Sequence, residues 1–240
     1  MNIITVDNYE EMSVKAADFI EKHILMRSDS VIGFATGSTP LGLYKRLVAR
    51  FKEGRLSFKD VTAVNLDEYV GLDPKNRQSY ACFMAENLFK HVDIDRRNTH
   101  IPNGCAQSLV DECKRYQDLL ASLQVDVQIL GVGSNGHIGF NEPYTPFDSK
   151  AHVVKLSDST ITDNSRLFER VEDVPRYALT MGIGEIMRAK AILLLASGKN
   201  KAEAVLNAVK GKINQKWPVS ILKTHKNFVL IIDKEAACLL

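Results

Sequence analysis

The sequence predicts a doubly wound α/β fold: a mainly parallel sheet with helices on both faces, a Rossmann-like three-layer sandwich. Two observations predict it. Six short runs rich in Val, Ile and Leu recur along the chain with little polar alternation, as strands buried on both faces require. Between them, apolar residues return every three or four positions, the period of an amphipathic helix. Strands alternating with helices lead to a parallel sheet covered on both sides.

Taken in order, the strands are expected at 2–6 ("NIITV"), 31–35 ("VIGFA"), 61–66 ("VTAVNL"), 125–130 ("VDVQIL"), 191–196 ("AILLLA") and 228–232 ("FVLII"). After the first run, Met12, Ala16, Phe19, Ile20, His23 and Ile24 share one helical face. A second helix is expected after Pro40, which suits a first helical position because it has no amide hydrogen to leave unpaired; Thr39 is then the expected N-cap. A third runs from about Ser79 to Lys90. Residues 131–150 resist assignment. With four glycines and two prolines they read as a long loop after a strand, and such loops in compact domains are often functional. No repeat, low-complexity tract or linker divides the 240 residues, so one domain over 1–240 is expected.

Composition narrows the function classes. Lys and Arg total 31 against 29 Asp and Glu, a net charge of +2, which gives no nucleic-acid or membrane footprint. Cys82, Cys105, Cys113 and Cys238 form no C-x-x-C pair and have no metal-type histidine cluster beside them, so neither structural zinc nor a disulfide framework is expected. The N-terminus lacks a basic segment followed by an apolar one, and no apolar run approaches a membrane span. A cytoplasmic protein is the expectation.

Three strand-end loops carry chemistry, because ligands of open α/β sheets bind beyond the carboxyl ends of the strands. In "GFATGSTPLGL", small residues precede a helix start, so free amides and the positive helix end could hold a phosphate; an ordinary capped turn is the alternative. In "AVNLDEYVGL", Asp67 and Glu68 end an apolar strand. They could be solvated or cap a downstream element, or one could sit in a cleft as a general base; neighbouring side chains point opposite ways, so one of the two should face the pocket. In "ILGVGSNGHIGFNEP", Gly131, Gly133 and Gly136 match G-x-G-x-x-G, but Gly139 and Pro143 oppose the helix that a dinucleotide site needs. What remains is a glycine-rich loop carrying two titratable groups, His137 and Glu142.

With these loops the sequence resembles the glucosamine-6-phosphate isomerase/deaminase family. The resemblance rests on "ATGSTP", "NLDEYVGL" with "QSYACFM", "GVGSNGHIGFNEP", "NSRLF" and "SGKNKAEAV", in the family's order and spacing over nearly the whole chain. It implies conversion of glucosamine-6-phosphate to fructose-6-phosphate and ammonia, with no metal or organic cofactor. By resemblance Asp67 moves the proton from carbon 2 to carbon 1, and His137, with Glu142 as its carboxylate partner, shuttles a proton to the ring oxygen. The phosphate falls to Gly37, Ser38 and Thr39 together with Arg166 and Lys199.

Two departures qualify this. Larger members of the family carry Asp where this chain has Asn135, a member of the same catalytic set. An amide orients an imidazole without supplying charge, so Glu142 alone is expected to tune His137. Allosteric, hexameric members are longer at the C-terminus than a chain ending "DKEAACLL", which implies an unregulated enzyme, a monomer rather than a hexamer. Two other readings share the fold. A 6-phosphogluconolactonase would follow its loop with an apolar segment instead of "IGFNEP". A sugar-phosphate sensor would carry a helix-turn-helix ahead of the first strand, which here begins at Asn2.

Overall fold

All six apolar runs form strands of one seven-stranded parallel sheet. The computed structural model describes residues 1–165 and 168–240. In chain order its elements are β1 (Asn2–Val6), α1 (Tyr9–Met26), β2 (Val31–Phe34), α2 (Leu41–Lys52), β3 (Thr62–Asn65), β4 (Asp67–Tyr69), α3 (Tyr80–Asn87), β5 (Thr99–His100), α4 (Leu109–Ser122), β6 (Val127–Leu130), β7 (His152–Lys155), α5 (Asp158–Ser165), β8 (Tyr177–Thr180), α6 (Ile183–Ile186), β9 (Ala191–Ala196), α7 (Ala202–Val209) and β10 (Phe228–Asp233).

The large sheet runs β1-β10-β9-β6-β2-β3-β5, with every neighbouring pair parallel. Strands β2, β6 and β9 are buried along their whole length, which explains why their sequences show no polar alternation. From β2 the chain winds outward through β3 to β5; from β6 it winds the other way through β9 to β10. Right-handed crossovers then place α1, α2 and α3 on one face and α4 and α7 on the other. The winding reverses between β2 and β6, so the loops leaving their carboxyl ends diverge and leave a crevice there.

A second sheet, β4-β8-β7, is antiparallel and stands over that edge. Only Leu66 separates β3 from β4, and its carbonyl accepts from Met181 N at 2.6 Å, joining the two sheets. Beneath the small sheet Tyr69, Tyr80 and Phe140 pack together, with the Tyr80 and Phe140 rings nearly parallel at 14°.

Helix starts follow sequence chemistry at Asn8, Ser79 and Ser108, whose side chains each accept from an amide three residues on. The second helix departs from expectation. Thr39 is not its N-cap: Pro40 holds that position and no side chain of the turn caps α2. The Tyr9 hydroxyl takes over, accepting from Gly42 N at 2.7 Å and donating to Ser38 O at 3.1 Å. That leaves Thr39 to line the crevice. Residues 131–150 are irregular as expected, with a single bridge between Ile138 and Asn141.

Candidate active site

At the reversal point lies a cleft of about 550 Å³, within the range of small-ligand sites. All three strand-end loops reach it: Gly37, Ser38 and Thr39 after β2, Asp67 at the start of β4, and Gly131, Gly133 and His137 after β6. Thr162, Asp163 and Asn164 of α5 close one side, and Ser197, Asn200 and Lys201 after β9 complete it.

Strand alternation settles the paired acids. Asp67 faces the cleft. Glu68, one residue on, turns away and accepts from Tyr69 N, Tyr80 N and Ala81 N at 2.8, 3.0 and 2.9 Å, securing the start of α3. Burial raises its pKa although these three donors oppose the shift. Asp67 is 5% exposed, and burial, reinforced by the neighbouring Glu68, holds its pKa well above the ordinary carboxylate range. Such a carboxyl can exchange a proton with a weak carbon acid near neutral pH.

The glycine-rich loop is shaped around His137. A side chain at Gly133 would stand 2.2 Å from the imidazole, so glycine makes room for the ring. At Gly136 φ is +83°, and a Cβ would meet the Trp217 ring at 2.5 Å. Behind the ring is a relay. Asn135 Oδ1 lies 2.8 Å from His137 Nδ1, Asn135 Nδ2 donates to Glu142 Oε2 at 3.0 Å, and Glu142 Oε1 accepts from Ser157 N at 3.0 Å. A carboxylate only accepts, which fixes the Asn135 amide with its oxygen toward the histidine. Nδ1 therefore carries the proton, and Nε2 is the unprotonated nitrogen available to the cleft. Burial, with a contribution from Lys201, lowers the His137 pKa against the opposing pull of Glu142 and Asp163, so the ring is neutral at physiological pH.

Asn135 and Glu142 do not line the cleft; their connection to it runs through the His137 ring. At 3.9 Å Glu142 is beyond hydrogen-bonding reach of Nδ1, so its link to the ring runs through Asn135.

On the anion side one expectation is corrected. Lys199 is exposed and does not line the cleft, whereas Lys201 does. The cause is the turn between them: Gly198 at φ +92° starts a 3-10 turn from Lys199 to Lys201 that sends the first lysine outward. Asp233, at the end of β10, holds this turn by accepting from Ser197 Oγ and Gly198 N. Arg166 lies outside the described residues. Gly37, Ser38 and Thr39 are where the sequence places them, and the Tyr9 hydroxyl that braces their turn carries no signal in sequence. Tyr9→Phe removes only that brace. It is expected to raise KM for a phosphorylated substrate about fivefold, near 1 kcal/mol, with kcat retained, in steady-state kinetics.

An α/β fold whose winding reversal holds a buried carboxyl and a hydrogen-bonded histidine in one cleft with a small-residue turn and a lysine defines a class of enzymes acting on small anionic substrates. The chain belongs to the glucosamine-6-phosphate isomerases/6-phosphogluconolactonase family, whose model matches residues 7–231. It is 51% identical over 241 residues to a protein from Thermoanaerobacter sp. (strain X514) named glucosamine-6-phosphate deaminase, covering 100% of this chain and 95% of that one. A solved structure described as a monomeric glucosamine-6-phosphate deaminase superposes with a TM-score of 0.98 at 45% identity, covering 100% of both chains. A 6-phosphogluconolactonase from Trypanosoma brucei shares the fold, with a TM-score of 0.80 at 20% identity over 100% of this chain and 98% of that one. No helix among the described residues is long and apolar enough to cross a membrane.

Proposed function

We propose that this chain converts glucosamine-6-phosphate and water to fructose-6-phosphate and ammonia, as a cytoplasmic, monomeric enzyme of amino-sugar catabolism folded as one domain. The observation that carries the reading is the pairing, in one cleft, of a buried high-pKa carboxyl with a neutral imidazole of fixed tautomer. Similarity to the named deaminases over the full chain supports it.

In this reading the phosphate rests on the Gly37-Ser38-Thr39 turn with Lys201, and with Arg166 by resemblance. His137 Nε2 accepts the anomeric hydroxyl proton and delivers it to the ring oxygen, opening the pyranose. Asp67 then takes the proton from carbon 2 and returns it to carbon 1, while one proton of the substrate ammonium passes to the carbon 1 oxygen, which leaves a hydroxyl at carbon 1 and an iminium at carbon 2. Water adds there, and ammonia departs as the ketone forms. The imidazole works from the neutral form that its surroundings favour, whereas Asp67 must be ionised to take the carbon 2 proton, and the raised pKa makes that carboxylate a stronger base.

Ammonia release from glucosamine-6-phosphate, measured beside hydrolysis of 6-phosphogluconolactone, tests the proposal; lactone hydrolysis without ammonia would overturn it. Light scattering tests the monomer, and a hexamer would refute it. Lys201→Met is expected to raise KM about 10- to 100-fold, the loss of a charge-assisted contact of roughly 1.5–3 kcal/mol, while Lys199→Met leaves KM unchanged.

A further inference from the structure

The proton relay behind His137 consists of Asn135 and Glu142 and does not include Asp67. Asp67 enters the cleft from the small sheet, beside Gly139, where a methyl group would stand 3.4 Å from Asp67 Oδ2. One cleft thus holds two separately supported proton carriers. Their targets on a hexose phosphate also differ: His137 serves the anomeric hydroxyl and the ring oxygen, Asp67 the hydrogen on carbon 2. Opening a hemiacetal makes no use of the substituent at carbon 2, so an amino group is not required for the first half of the reaction.

Resting on the reading of His137 given above, we propose that the site also catalyses anomer interconversion of non-amino aldohexose 6-phosphates, an activity that needs His137 and the anion cradle and does not need Asp67. The steps balance without a co-reactant. His137 Nε2 takes the proton from the hydroxyl on carbon 1 as the bond from carbon 1 to the ring oxygen breaks, and the ring oxygen takes that proton from the imidazolium. The free aldehyde turns about the bond between carbons 1 and 2, for which a cleft of about 550 Å³ leaves room around an anchored hexose phosphate. The former ring oxygen then returns its proton to Nε2 and attacks the other face of carbon 1, and the carbonyl oxygen is protonated by the imidazolium. The net change is inversion at carbon 1. Asp67 becomes necessary only when carbon 2 loses its hydrogen.

The probe is pure α-glucose-6-phosphate, followed by NMR as it relaxes to the anomer mixture in a buffer free of imidazole and phosphate. Wild-type protein is expected to accelerate relaxation at least tenfold over buffer. Asp67→Asn is expected to keep most of this acceleration while releasing no ammonia from glucosamine-6-phosphate, and His137→Gln to lose it by about 10²-fold or more. Unphosphorylated glucose should relax at the buffer rate. Wild-type protein that releases ammonia but does not speed relaxation overturns the inference alone; failure of both reactions overturns the deaminase reading with it. Loss of acceleration in Asp67→Asn, with its circular dichroism unchanged, would show that ring opening is not separable from the carbon-acid step and would also overturn the inference, which therefore does not depend on the folding of His137→Gln.

Discussion

Asp67→Asn should abolish turnover and stabilise the fold. The catalytic loss follows from the proposed role: an amide cannot hold the carbon 2 proton, and removing a general base of this kind costs about 10²–10⁴-fold. The gain in stability follows from burial. Asp67 has a folded-state pKa above its unfolded value because its charged form is desolvated beside Glu68. Below the unfolded pKa the carboxyl is neutral in both states and carries no penalty; as pH rises above it, the unfolded chain ionises more readily than the folded one, and stability is lost. At pH 7 the wild-type fold therefore carries a penalty that the neutral amide lacks. Replacing it should return roughly 0.5–2 kcal/mol, at about 2–4 °C of Tm for each kcal/mol in a chain of this size. Calorimetry at pH 7 and at pH 4 separates this from a packing effect, since the stabilisation should shrink at the lower pH. In the wild-type enzyme the same raised pKa makes kcat/KM rise with pH above the ordinary carboxylate range. A variant that turns over within tenfold of wild type, or melts below it at pH 7, would contradict the assignment.

This trade explains which parts of the molecule were legible in sequence. Strands β2, β6 and β9 announce themselves because both of their faces are covered, whereas the edge strand β1 is largely exposed and is marked only by its β-branched residues. The small sheet does not announce itself. Its first strand is Asp67-Glu68-Tyr69, where charge and burial conflict, and a reader of local preference sees a loop. Thr99–His100 is too short for any period to show. In the site, alternation along a strand requires that one of Asp67 and Glu68 face inward, but only the downstream contacts of Glu68 with α3 decide which. The choice between Lys199 and Lys201 turns on the left-handed conformation of Gly198, and the brace from Tyr9 spans 29 residues to Ser38. Neither leaves a local pattern. The loop from Gly131 to Pro143 was legible for the opposite reason: its glycines have no helix to start, and the volume freed at Gly133 is filled by the His137 ring.

Glu142→Gln is the sharper test of the relay, because it alters which ring nitrogen of His137 carries the proton. The carboxylate accepts from Asn135 Nδ2 on one oxygen and from Ser157 N on the other. Glutamine keeps an oxygen for Ser157 N and so turns its NH₂ group toward Asn135. Two NH₂ groups cannot face each other, so the Asn135 amide flips and offers Nδ2 to His137. The backbone amide of His137, which now donates to Asn135 Oδ1 at 3.2 Å, loses its acceptor as well. The ring must then carry its proton on Nε2, where the sugar needs a lone pair. A wrong tautomer in a comparable relay costs about 10⁴-fold, so turnover is expected to fall by about 10²–10⁴ with a near-native melting point. Ring nitrogen NMR shifts should report the proton moving from Nδ1 to Nε2. Loss of the Glu142 charge also removes a contribution that raises the His137 pKa, so the acid limb of any residual activity moves to lower pH. Asn135→Asp makes the contrast: it keeps an acceptor for Nδ1, favours the imidazolium, and should retain most turnover while the acid limb moves to higher pH. If Glu142→Gln leaves both turnover and the ring shifts unchanged, the amide does not set the tautomer, and His137 must be oriented by Thr160, whose hydroxyl lies 3.4 Å from Nδ1.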